Sequence, residues 1–169
     1  MRLLALDVGD RRVGVAVSDA SGLIATPLTV IVRRSKVEDF ARILRLVREQ
    51  EIEGLVVGLP LNDDGSLNPQ ARRIARYAAA LEAALRAEGL ELPLILWDER
   101  MSTWRAEEAL VEAGRTARDR RKRMDAAAAA VILQDYLDDQ RSRSDPPAGL
   151  TMDRFGPSWR EITDSEEVL

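Results

Sequence analysis

The chain contains neither cysteine nor histidine. Those two absences together exclude disulfides, thiolate nucleophiles, imidazole acid–base pairs and the usual zinc ligands. Aromatic residues make up only 4% of the sequence, so its core has to be aliphatic. Lysine is scarce, with Arg outnumbering Lys 23 to 2. Arg suits bidentate phosphate contacts, but coding bias accounts for the ratio more economically. No apolar run approaches the roughly 18 residues of a membrane span. Met1-Arg2 leads directly into a strand-like segment, so the expected setting is soluble and cytoplasmic. A net charge of −4 is too mild to signal a nucleic-acid coat or an acidic tail, although it can conceal local basic patches. Catalysis is thereby confined to carboxylates, hydroxyls, Lys or Arg, and an oxygen-seeking metal.

What the sequence does have is enough apolar residue, 46% of 169, to fill one domain. Leu3–Val8 reads as a short strand covered on both faces, Gly9 to Arg12 as a turn, and Val13, Val15 and Val17 as alternate positions of a second strand. Residues 23–32 make a third extended segment in which Pro27 points to a sheet edge. Ser35 with Glu38 forms a capping box for a helix whose apolar stripe is Val37, Phe40, Leu44 and Val47. Gly54–Leu59 is another buried strand. Asn68-Pro69 then opens a helix with Ile74, Leu81 and Leu85 on one face and Gly89 at its end. Residues 94–97 form the fifth strand. Two more helices are expected, from Ser102 or Thr103 to Ala113 and from near Arg118 to about Asp138; the eight apolar residues 126–133 predict that the second is buried around most of its circumference. The pattern stops after Asp139, which predicts a domain over 1–139 and a flexible tail over 140–169. Strands in a hairpin followed by strands alternating with helices indicate an α/β fold: a five-stranded mixed sheet, antiparallel in one half and parallel in the other, flanked by helices.

The acids fall at informative places. Asp7 ends one buried strand, Asp98-Glu99 ends another, and Asp125 stands just before the apolar stretch of the last helix. Taken singly, each has an ordinary account: Asp7 as a turn former, Asp98 as a cap or partner of Arg100, Asp125 as a helix residue paired with a neighbouring Arg. Taken together, they lie where a parallel sheet keeps its functional crevice, and a carboxylate there is costly unless a cation or donors compensate. If the acids converge, Mg²⁺ or Mn²⁺ is the economical counterion, and hydrolysis assisted by such ions needs no histidine. Directly before Asp125, six cations occur in nine residues: Arg115, Arg118, Arg120, Arg121, Lys122 and Arg123. Such a run is usually a solvated helix face. Beside a carboxylate cluster it is placed to hold a phosphate backbone, with Arg11, Arg12 and Arg100 at the same rim. Trp97 and Trp104 read as core and Trp159 lies in the tail, so no stacking platform is evident and structured or duplex substrate is favoured.

The segment Asp7-Val8-Gly9-Asp10-Arg11-Arg12-Val13-Gly14-Val15 resembles the opening motif of the YqgF family, the RuvX-like Holliday-junction resolvases also regarded as pre-ribosomal-RNA nucleases. Three more matches follow in order: Val57-Gly58-Leu59-Pro60-Leu61-Asn62 with Asp64-Gly65-Ser66, then Asp98-Glu99-Arg100-Met101-Ser102-Thr103, then Lys122 to Asp125 with Ala128-Ala129. The resemblance implies a ribonuclease-H-like fold and metal-dependent phosphodiester hydrolysis. It implies Asp7, Glu99 and Asp125 as catalytic acids and metal ligands, with Asp98 the alternative ligand beside Glu99; alternation makes those two point apart, and the sequence leaves open which points inward. It implies substrate contacts at Arg12, Asn62, Arg100, Ser102, Thr103 and Lys122. Asp63 departs from the apolar residue common in the family. A non-catalytic nucleic-acid-binding factor of ribosome assembly or transcription is the alternative function. The nucleotide loop of actin-like ATPases is a third, weaker likeness, because that architecture needs two related domains. Symmetric cutting of a four-way junction would require a homodimer.

Overall fold

Side-chain alternation in the first hairpin decides how the molecule is layered. In β1 (Leu3–Val8) and β2 (Arg12–Ser18), Leu4, Leu6, Val8, Val13 and Val15 enter one core cluster, while Leu3, Ala5 and Ala16 enter another on the opposite face. The computed structural model describes residues 1–99, 117–142 and 150–151, with the backbone alone at 117–124, 150 and 151. The hairpin closes as expected, Gly9 N donating to the Arg12 carbonyl at 2.8 Å. β3 (Ala25–Val32) pairs antiparallel with β2 at the sheet edge, where Pro27 faces Ala16 beside a register shift. An edge strand tolerates the missing N–H.

β4 (Gly54–Leu59) lies parallel to β1, and β5 (Leu94–Asp98) parallel to β4. The five expected strands are therefore present as a mixed sheet. A sixth, β6 (Leu150–Thr151), pairs antiparallel with β5 and comes from the segment expected to lie outside the fold. The order is β3-β2-β1-β4-β5-β6. Because β1, β4 and β5 are parallel, their carboxyl ends share one edge.

The crossovers α1 (Lys36–Glu49) and α2 (Pro69–Ala87) cover the first face. Ser35 Oγ accepts from Glu38 N at 3.2 Å and Asn68 Oδ1 from Ala71 N at 2.8 Å, so both helices start where the capping residues predict. Ile74, Leu81 and Leu85 are buried as expected. In α1 the buried positions are Asp39, Phe40, Ile43 and Val47, and Val37, expected in the stripe, is 81% exposed. Hydropathy spacing alone cannot see that Arg33 supplies a partner for Asp39, at 3.3 Å, and so lets an acid take an inner position of the helix.

α3 (Ala117–Ser142) packs across β1, β2 and β3 on the other face. Ala126, Ala129, Ile132 and Leu133 are buried there, but the remaining residues of 126–133 are only half-buried. An unbroken apolar run overstates burial where the alanines are too small to demand cover all round. The helix expected from Ser102 or Thr103 to Ala113 falls outside the described residues.

Candidate active site

Counting by twos from Leu3 and Ala5 puts Asp7 on the α3 face, one residue before the end of β1. Its register partner on β2 is Gly14. A Cβ at Gly14 would stand 1.9 Å from the Asp125 carbonyl oxygen, so the α3 backbone lies directly on β2 there, and only glycine admits it. That contact brings Asp125 next to Asp7. Gly58, on β4, does the same for a third acid: a Cβ there would stand 2.0 Å from Glu99 Oε1 and 2.7 Å from Ile132 Cδ1. Glu99 directly follows β5 and lays its carboxylate over the neighbouring strand. Two glycines, one under each approaching group, thus assemble acids from three separate elements.

The electrostatics agree with the geometry. Burial, with the Asp125 charge added to it, raises Asp7 to about 6, and burial, with the charges of Asp7 and Asp98, raises Glu99 to about 8. Arg12 Nη1 stands 3.7 Å from Asp125 Oδ2, both side chains about one-third exposed. Among the described residues Arg12 is the cation paired with this group of acids, through Asp125. Among the described residues no three acids close round one point tightly enough to grip an ion by themselves.

Of the acids expected from sequence, Asp7 lies within electrostatic reach of both Asp125 and Glu99. Asp98 pairs in register with Leu59 at the end of β5 and adds its charge from beside Glu99. Arg12 joins the acids. Arg11 is exposed on the adjacent turn, where its carbonyl accepts from Arg33 N at 2.9 Å. Asn62 is exposed on the loop after β4, at the same sheet edge, and donates to Ser66 Oγ at 2.9 Å. Arg118, Arg121, Lys122 and Arg123 lie on the first two turns of α3, amino-terminal to Asp125, and their side chains fall outside the description. Arg100, Ser102 and Thr103 lie outside the described residues. Sequence reasoning missed the roles of Gly14 and Gly58. Both occupy the α3-face positions of their strands, where a glycine among valines is the signal of close backbone approach.

The sequence pattern of the family described as "RuvX: Holliday junction resolvase" matches residues 1–139. The chain belongs to the RuvX family. A relative from Thermoanaerobacter pseudethanolicus, bearing the name "Putative pre-16S rRNA nuclease", is 44% identical over 144 residues, which cover 85% of this chain and 100% of that one. A Synechococcus relative of the same name is 46% identical over 146 residues, covering 86% of this chain and 83% of its own. Among solved structures, that of "T. thermophilus RuvC in complex with Holliday junction substrate" superposes with a TM-score of 0.57 at 17% identity, covering 84% of this chain and 96% of that chain. This last likeness is one of fold, and it gives the RuvX chain the ribonuclease-H-like architecture expected from its motifs.

Proposed function

We propose that this chain is a divalent-metal-dependent nuclease that hydrolyses phosphodiester bonds in structured nucleic acid, in the maturation of pre-16S ribosomal RNA or the cutting of branched DNA. The names of the family and of its relatives support the class of activity. The observation that supports the chemistry is that Asp7, at the carboxyl edge of the sheet, is electrostatically coupled to both Asp125 and Glu99, the last two approaching over glycines that admit nothing larger.

The donor set fits Mg²⁺ or Mn²⁺. Every donor is a carboxylate oxygen. Two of the acids are raised by burial and mutual repulsion, and a bound cation relieves that repulsion. Asp7, Glu99 and Asp125 would hold the metal, which when bound lowers the pKa of a water and stabilises the leaving oxygen. The chain's own residues do the rest. Without metal Glu99 is raised to about 8 by burial and by the charges of Asp7 and Asp98, so it gives up its proton on taking up a cation. Arg12 keeps Asp125 oriented and is placed at the rim, with Arg11 and the basic first turns of α3, to meet the phosphate backbone.

The test offers purified protein a four-way DNA junction, linear duplex DNA and a precursor fragment of 16S ribosomal RNA, with Mg²⁺ or Mn²⁺. Cleavage of at least one structured substrate is expected, abolished by a chelator and by Asp7→Asn, with binding largely retained in the variant. Turnover by Asp7→Asn equal to the parent would remove Asp7 from the chemistry.

A further inference from the structure

Val8 follows Asp7 on the opposite face of the sheet, and there the Gly9 turn helps to enclose a cavity of about 240 Å³, bounded also by the start of α1 and the first turns of α2. Its wall carries four cations, Arg33, Lys36, Arg73 and Arg76, against one acid, Asp10. Asp39, buried behind the wall, offsets Arg33. Among the lining residues cations outnumber acids, in a concavity large enough for a phosphate group and its ester oxygens.

The wall is also preorganised. Arg33 Nε pairs with Asp39 at 3.3 Å, its Nη1 donates to the Gly9 carbonyl at 2.8 Å, and the guanidinium lies 4.9 Å from the centre of the Tyr77 ring. Tyr77, itself 3% exposed, has a hydroxyl with no hydrogen-bond partner among the described residues. A guanidinium held on three sides beside further cations is the usual construction of a phosphate site, since little side-chain freedom is lost on binding. The backbone carbonyl that fixes Arg33 belongs to Gly9, two residues after Asp7, so the cavity and the acids flank the β1–β2 turn on opposite faces of the sheet.

We infer that the cavity binds a phosphate group of the nucleic-acid substrate other than the one being cut, so that the strand is gripped on one side of the β1–β2 turn and hydrolysed on the other. This rests on the nuclease reading for the identity of the ligand as a polynucleotide. The phosphate can belong to a strand terminus or to the backbone; the chemistry of the site is common to both.

Binding measured in a chelator, where nothing is cut, tests this apart from catalysis. The probes are a labelled four-way junction and a labelled RNA hairpin, each with either a 5′-phosphate or a 5′-hydroxyl, titrated at several salt concentrations. Lys36→Ala combined with Arg73→Ala removes two exposed wall cations. Affinity should fall about tenfold or more, and the slope of log K against log salt should become shallower by about 1. Arg73→Lys should recover part of the loss. Arg42→Ala with Arg45→Ala removes the same charge from the exposed side of α1 and should leave the slope unchanged. A loss confined to 5′-phosphorylated probes assigns a terminal phosphate, and a loss on both assigns the backbone. An unchanged wall double variant, equal losses in the two doubles, or no binding by the parent overturns the inference. A parent that binds through the cavity but cuts nothing with metal present would sink the nuclease reading and leave this one standing.

Discussion

Glu99 and Asp98 are adjacent, yet their chemistry diverges because a strand sends successive side chains to opposite faces. Ile95 packs in the α3-face cluster and Trp97 packs against it, so the same parity carries Glu99 toward Asp7, and its carboxylate lies over Gly58. Asp98 sits one position out of phase, paired with Leu59. With Glu99 as the proposed ligand, Glu99→Gln should lower the rate of metal-dependent cleavage by about a hundredfold or more, since losing a ligand should exceed losing a partner that merely orients one. Asp98→Asn should cost less, because it removes a charge beside the cluster. Single-turnover rates of the two variants at saturating metal give the comparison; an Asp98→Asn defect equal to or larger than that of Glu99→Gln would reverse the assignment.

At the scale of elements, the site exists because α3 rests on β2 without an intervening side chain. Helix and strand can approach so closely only where the strand residue has no Cβ. Gly14→Ala places a methyl group 1.9 Å from the Asp125 carbonyl oxygen and 2.4 Å from its carbon, and neither is the free end of a flexible side chain. The helix must lift. We expect a loss of about 1–3 kcal/mol in stability, the range for overpacking a close contact, together with loss of cleavage as Asp125 is carried away from Asp7. Urea denaturation and a cleavage assay on the same preparation check both parts. Gly58→Ala should behave differently, since the atom it meets at 2.0 Å is the end of the Glu99 side chain; turnover should suffer there more than stability.

For the whole molecule, the acid cluster imposes a pH dependence whose sign follows from the two raised groups. Asp7 goes from 3.8 to about 6 and Glu99 from 4.5 to about 8, so the folded chain holds both protons more tightly than the unfolded chain. Their contribution to stability is complete below about pH 4 and is lost as pH rises through 6 and then 8. Metal-free protein should accordingly be less stable at pH 8.5 than at pH 5.5, by on the order of 3 kcal/mol. Thermal melts of the parent and of Asp7→Asn combined with Glu99→Gln measure this; the double variant should lose most of the slope. Added Mg²⁺ or Mn²⁺ should raise the melting temperature more at the higher pH, because the ligands must be deprotonated to bind. A parent that is equally stable at both pH values without metal would contradict the desolvated cluster.

Local rules settled much of this protein in advance. A short unbroken apolar run marked β1 and period-two alternation β2, Ser35 and Asn68 announced the helix starts, and Pro27 pointed to an edge, because each of these is a preference set by residues a few positions apart. Val37 against Asp39, the half-buried outer side of α3, the inward choice of Glu99, the sixth strand and the cationic cavity behind Gly9 were decided only by the tertiary structure. Each depends on what another element brings: an Arg33 for Asp39, a glycine on β4 for Glu99, a β5 edge for Leu150–Thr151. Hydropathy along a chain records a residue's own preference for burial, whereas these outcomes were set by the partner that burial supplied.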